Sequence, residues 1–144
     1  MSNTERFFFR HTTTVDADPG DIWALWVDVN GWPRWDSGLE STKFSGTFRK
    51  GSSFELTPRG GEPLEVTLRS VTEGEEFSDE TILAFGTIRN AHRMRPVAGK
   101  VELTHEVEAV INKAEAVFFA SEIWPHMRDG IPEALANIRG IVEN

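Results

Sequence analysis

Apolar residues in this chain recur at every second position, then at every third or fourth, then at every second again. These changes of period divide it into elements. Phe7, Phe9, His11, Thr13 and Val15 alternate along the stretch Arg6 to Val15, which predicts a strand with one inward face. In "DADPGDIWALWVDV", Asp18 is a cap, Pro19 suits the first helical turn, and Asp21 places negative charge near a helix N-terminus. A helix is expected there, ending by Asn30-Gly31. Trp23 and Val27 are expected on its inward stripe and Trp26 on its flank, with a short second helical turn around Trp32 to Asp36.

Turn signals then fall at Lys50-Gly51, at "PRGGEP" (58 to 63), at Glu73-Gly74, near Gly86 and at "PVAG" (96 to 99). Alternating runs between them predict an antiparallel meander of six strands. In "KVELTHEVEAV", Val101, Leu103, His105, Val107 and Ala109 face one way, and Glu102, Thr104, Glu106 and Glu108 the other. That is the pattern of a strand with one buried and one wet face. From about Lys113 onward, Ala116, Phe119, Ala120, Ile123, Met127, Ile131, Leu135, Ile138 and Val142 trace the apolar stripe of one long helix, which Pro125 and Pro132 are expected to bend. The predicted class is α+β. The sheet has one apolar face to cover, and the long helix is the only element large enough to cover it.

A length of 144 residues predicts a single domain over 1–144, large enough for a core with an interior cavity. No run of eighteen apolar residues is available for a membrane span. The start "MSNTERFFFR" does not read as a secretion signal, and with no cysteine there is no disulfide or thiol chemistry. A cytoplasmic location is the expectation. The balance of 23 acids to 15 bases gives a net charge of -8. Arg89, Arg93 and Arg95 alternate on one strand amid that acid surplus, so they are expected to form a solvated face, and no nucleic-acid partner is expected.

The stretches "DADPGDIWALWVDVNGWPRWDSGLES", "RKGSSFEL", "AHRMRPVAGKVELTHEVEA" and "IPEALANIRGIVE" together span nearly the whole chain. With them the sequence resembles the START-like superfamily (SRPBCC, helix-grip proteins), and within it the polyketide cyclase/dehydrase-like group. The resemblance implies a β-α-α-β6-α helix-grip fold. In that fold a seven-stranded antiparallel sheet wraps around the long C-terminal helix, leaving an elongated cavity. It also implies a lipid, polyketide or other apolar small molecule as ligand. Some such proteins catalyse cyclisation or dehydration, but no catalytic motif is shared, so the resemblance stops short of a reaction.

Inward parity groups Ile88, Asn90, His92 and Met94 on one strand with Val101, Leu103, His105 and Val107 on the next. A turn centred between Val97 and Ala98 sets Asn90 opposite His105 and His92 opposite Leu103. The family arrangement brings His11 towards His105. His92, His105 and Asp79 are the candidate catalytic residues, because an imidazole or carboxyl in an apolar cavity can move protons. The structural reading stays open: buried histidines satisfied by Asn90, Thr13, Thr81 or water, and Asp79 on a solvated edge. The expected ligand contacts are Phe9, His11, Phe54, Asn90, His92 and Met94 on strands, together with Leu103 and His105. Trp35 is expected at one end of the cavity, and Phe119, Ile123 and Met127 on the long helix. His126 is expected at the surface. Zinc-type spacing is missing, and neither metal nor cofactor is expected. Two functions remain: binding of a small hydrophobic molecule without chemistry, or a cyclase/dehydratase-like enzyme using the cavity histidines. A partner-binding stress or regulatory role is a weaker third. Monomer and homodimer are both open.

Overall fold

The computed structural model describes residues 3–143. Strand β1 (Thr4–Val15) leads into helix α1 (Pro19–Val27) and a 3₁₀ helix (Val29–Arg34). Six strands follow: β2 (Leu39–Lys43), β3 (Ser53–Pro58), β4 (Leu64–Thr72), β5 (Glu76–Leu83), β6 (Gly86–Val97) and β7 (Lys100–Asn112). The chain closes with α2 (Lys113–Phe118), a π-helical turn (Phe119–Ile123) and α3 (Trp124–Val142). The strands form one antiparallel sheet in the order β1-β7-β6-β5-β4-β3-β2, so β1 alone leaves the meander, to pair with β7. The sheet curls around α3, which buries Trp124, Ile131, Ala134, Leu135 and Ile138 against it.

Helix α1 starts as expected: the Asp18 carboxylate accepts from the Gly20 amide, and Pro19 needs no acceptor in the first turn. Its buried stripe is Ile22, Leu25 and Trp26, extended by Val29 in the 3₁₀ helix. The expected stripe of Trp23 and Val27 is therefore corrected: Val27 is exposed, Trp23 is half-buried and Trp26 is fully buried. Positions 22, 25, 26 and 29 also fit helical spacing, and they bury more apolar surface than the pair at 23 and 27. The helix ends at Val27, within the expected limit, and the second helical segment begins at Val29, ahead of the expected Trp32.

The turn between β6 and β7 centres on Ala98 and Gly99, which have φ of 52° and 80°. Two consecutive positive φ values match the right-handed twist of the flanking strands, and Gly supplies one at no steric cost. Val97 therefore pairs with Lys100, which sets His92 opposite His105 and Asn90 opposite Val107. This corrects the expected register. The shift is two residues, so the inward face is unchanged.

The C-terminal helix runs without a break from Lys113 to Val142, as expected, and its one irregularity is a change of helix type ahead of Pro125. The widened turn at Phe119–Ile123 comes immediately before Trp124-Pro125, while α3 runs on through Pro132. Pro125 has no amide to donate to the preceding turn, and a π turn takes up the resulting change of hydrogen-bond register.

On the outer face, Arg89 pairs with Glu80, Arg93 with Glu106 and Arg95 with Glu102. The alternating arginines thus form the solvated face expected of them. At the sheet end nearest α2, Gly86 has φ 157°, and a Cβ there would lie 2.3 Å from the Val110 carbonyl oxygen. Gly86→Ala is expected to destabilise the fold by about 2–3 kcal/mol, because backbone must move to make room. Equilibrium urea denaturation measures the difference.

Candidate functional site

Four neighbouring strands bring their inward residues into one row. His11 on β1 lies opposite His105 on β7, His105 opposite His92 on β6, and His92 opposite Phe77 on β5. The His92 ring stacks on Phe77 at 4.4 Å with an interplanar angle of 5°. On its other side the His105 ring lies 4.0 Å away. Trp26 and Trp35 meet His92 edge-on, at 5.7 and 6.1 Å. Trp32 packs against Trp35, Phe54 and Phe77.

Short local contacts hold these indoles in place. The Trp32 Nε1–H donates to the Trp26 carbonyl at 2.9 Å, which ties the 3₁₀ helix to the end of α1. The Thr42 hydroxyl donates to the Val29 carbonyl at 2.6 Å, and the Asn137 side chain on α3 donates to the Trp35 carbonyl at 3.2 Å. The segment carrying Trp32 and Trp35 is thus fastened at α1, β2 and α3.

His92 and His105 are 4% and 6% exposed, and Asp79 is 5% exposed. The solvated-edge reading of Asp79 is corrected: it lies opposite Asn90 on the inward face of β5. Asn90 accepts or donates on two sides. Its Oδ1 is 2.9 Å from His105 Nε2, and across the ladder it faces the Asp79 carboxyl, whose charged form it favours. Desolvation raises the Asp79 carboxyl to about 7. Desolvation lowers His105 to about 3, and desolvation followed by the neighbouring His105 lowers His92 well below the usual imidazole range. Both histidines are therefore neutral at neutral pH.

Five buried ring nitrogens have no hydrogen-bond partner among the described residues: Trp26 Nε1, Trp35 Nε1, both nitrogens of His92, and His105 Nδ1. All belong to rings that touch His92 or to His92 itself. Each such atom costs about 1–3 kcal/mol when left dry and unpaired, and ring-edge contacts return only part of that. Native interiors rarely leave so many polar atoms together without a partner.

The expected site residues divide. Trp35, Asn90, His92, His105 and Asp79 converge, Trp35 through its edge-on contact with His92. Met94 and Leu103 are buried on the strands beside them, and Phe54 joins through Trp32. His11 and Phe9 are half-buried on β1. Phe119 belongs to a second aromatic group with Phe7, Phe85 and Trp124, while Ile123 and Met127 lie half-buried against the core. His126 is exposed, as expected. Trp26 was missed as a site residue; the stripe at 22, 25, 26 and 29 was the signal for it. Among the described residues no group of three or more His, Asp or Glu side chains is arranged to hold a metal ion.

His92 and the rings around it pack against one another in the interior. An apolar groove of about 570 Å³ lies outside it, lined by Trp23, Ala24, Val27, Phe48 and Val71, with Asp28 and Glu73 at its edge. Trp23 and Phe48 meet edge-to-face at 6.0 Å, and Phe48 touches Phe77 at 5.2 Å. A single layer of rings therefore separates the groove from the Phe77–His92 stack.

An antiparallel sheet closed around a C-terminal helix, with its titratable groups turned into the grip, defines a START-like helix-grip protein. The chain belongs to the family described as "Polyketide cyclase / dehydrase and lipid transport", which it matches over residues 6–143. Similar solved structures share the fold at low identity. The di-domain aromatase/cyclase StfQ of the steffimycin pathway superposes with a TM-score of 0.79 at 10% identity, covering 96% of this chain and 51% of that one. Norcoclaurine synthase from Thalictrum flavum, solved with dopamine and hydroxybenzaldehyde, gives 0.72 at 17% identity, covering 97% and 88%. Ara h 8.0201 gives 0.74 at 14% identity, covering 96% and 98%. No curated protein matches the chain by sequence.

The shifted groups set a pH dependence. Below pH 6.5 the unfolded chain protonates both histidines, whereas the folded chain keeps them neutral, so stability is lost as the pH falls. Asp79 acts oppositely: the fold retains a proton between 3.8 and about 7 that the unfolded chain has released. Near pH 5 the two histidines take up about two protons on unfolding, Asp79 releases about one, and Asp36, also raised by burial, adds to the release, so stability should rise with pH by less than one proton's worth. His92→Phe removes one of the two and is expected to flatten or reverse the slope. Urea midpoints across this range measure it, and an unchanged slope contradicts the buried neutral state of His92.

Proposed function

We propose that this protein binds a small apolar or amphipathic molecule inside the grip, with the molecule's polar end at His92. The observation that carries this reading is the set of five unpartnered ring nitrogens around one imidazole in an otherwise aromatic interior. A guest with a polar end supplies the missing hydrogen bonds, and its apolar body keeps the rest of the interior dry. The family description, which names cyclase/dehydrase activity and lipid transport, points the same way. The groove at Trp23 and Phe48, one ring away from the Phe77–His92 stack, offers a way in.

The second reading is an enzyme of the cyclase/dehydratase kind. It is favoured by the closeness of His92 to His105 and by the Asp79–Asn90 pair behind them. A proton-transferring site needs two titratable groups within reach of one substrate atom, and this row supplies them. The two readings differ in whether the bound molecule leaves unchanged.

Native mass spectrometry of gently purified protein is expected to show a co-purifying small molecule. Lipids, polyketides and aromatic compounds of matching chemistry are expected to raise the melting temperature. Empty protein together with no thermal shift across such a panel overturns the binding reading. A bound molecule that returns with altered mass after incubation selects the enzymatic one.

A further inference from the structure

Asn90 stands between two groups of different chemistry. Across the β5–β6 ladder it faces Asp79 on the same inward face, and its side chain favours the charged form of that carboxyl. Its Oδ1 lies 2.9 Å from His105 Nε2. A carboxylate only accepts hydrogen bonds, whereas an amide donates from one end and accepts at the other. Asp79 therefore takes the amide NH₂ and leaves Oδ1 directed at the imidazole. An oxygen acceptor there requires the imidazole proton to sit on Nε2. A neutral imidazole carries a single N–H, and burial keeps His105 neutral. Its Nδ1 is consequently a bare lone pair, buried and without a partner.

We infer that Asp79, acting through Asn90, is a positioning residue that fixes His105 as the hydrogen-bond acceptor of the interior site, so that the favoured guest brings a hydroxyl: a phenol, enol or alcohol on an apolar frame. The ligand class rests on the binding reading above; the positioning role of Asp79 does not. The surrounding donors suit the same group. Trp26 and Trp35 each hold an unpartnered indole N–H beside His92, and an indole can only donate. A hydroxyl oxygen takes such a donor while its own hydrogen goes to His105 Nδ1. A hydrocarbon satisfies neither, and a ketone leaves the lone pair unpaired. Unpaired buried groups are the usual basis on which a site rejects an analogue lacking the hydroxyl.

The first measurement is a long-range ¹H–¹⁵N correlation spectrum of the histidine rings at about pH 8, where Asp79 is ionised. The wild type is expected to show His105 protonated at Nε2. In Asp79→Asn the new amide can donate, Asn90 is free to turn its NH₂ to the imidazole, and the His105 proton is expected to move wholly or partly to Nδ1. Asp79→Leu, which removes the acceptor without adding a donor, is expected to give a mixture. Protonation at Nδ1 in the wild type, or an unchanged tautomer in both variants, overturns the positioning role.

The second measurement titrates 4-ethylphenol and ethylbenzene into the wild type and Asp79→Asn. The phenol is expected to bind the wild type about tenfold more tightly, the worth of one net hydrogen bond, and to lose that advantage in the variant. Equal affinity for both probes in the wild type overturns the ligand class. If neither probe binds while the tautomer is as expected, interior binding of such molecules fails and the role of Asp79 stands. If both bind with the wrong tautomer, the binding reading stands and the positioning role fails.

Discussion

The interior of this protein is organised around one imidazole that has rings on every side and no hydrogen bond. His92 lies flat on Phe77, beside His105, with Trp26 and Trp35 edge-on to it. Packing this dense leaves little freedom for any ring to move alone, because each fills the space its neighbours leave. The 3₁₀ helix after α1, its tie to Trp26 and the hold of α3 on Trp35 all keep rings in that arrangement. The polar cost and the apolar gain are concentrated at the same place. A ligand that exchanged with some of these rings would gain apolar contact and relieve unpaired nitrogens together.

Behind the rings, the sheet supplies a row of polar groups on the inward face, which is otherwise hydrophobic. Antiparallel pairing sets His11, His105 and His92 side by side and Asp79 against Asn90. The outward positions of the same strands carry arginines and glutamates in pairs, which keep that face wet. One set of strands thus separates two kinds of electrostatics. On the outside the arginines are exposed and most pairs contribute little each, while Glu80 lies buried beneath Arg69 and Arg89. Inside, burial moves pKa values far enough to leave the histidines neutral and Asp79 only part-ionised at neutral pH.

Family membership fits this division. The helix-grip fold tolerates sequence identities of 10 to 17% between this chain and the structures it resembles, with TM-scores above 0.7. The fold is held by the sheet and its covering helix. This chain carries four tryptophans between positions 23 and 35. Three of the four, Trp26, Trp32 and Trp35, are buried in the interior, and Trp23 lines the groove outside it.

Much of this was legible in the sequence, because periodicity and turn chemistry are local. Alternation gave the inward faces of β6 and β7, Asp18-Pro19 the start of α1, and the order of elements the fold class. Three decisions were not local. The centre of the Ala98-Gly99 turn fixed whether His92 faces Leu103 or His105, and the sequence "PVAG" fits two registers that bury the same face. Two stripes on α1 were compatible with helical spacing, and only the area buried against the sheet selected the one with Trp26. The environment of Asp79 was set by strands and helix closing over it, not by the acidic residues around it in "EGEEFSDE". Sequence by itself determined which residues point inward, since that follows from the two-residue period of a strand. Only the tertiary structure decided which of them touch, because contact depends on register and on how far α3 closes the grip.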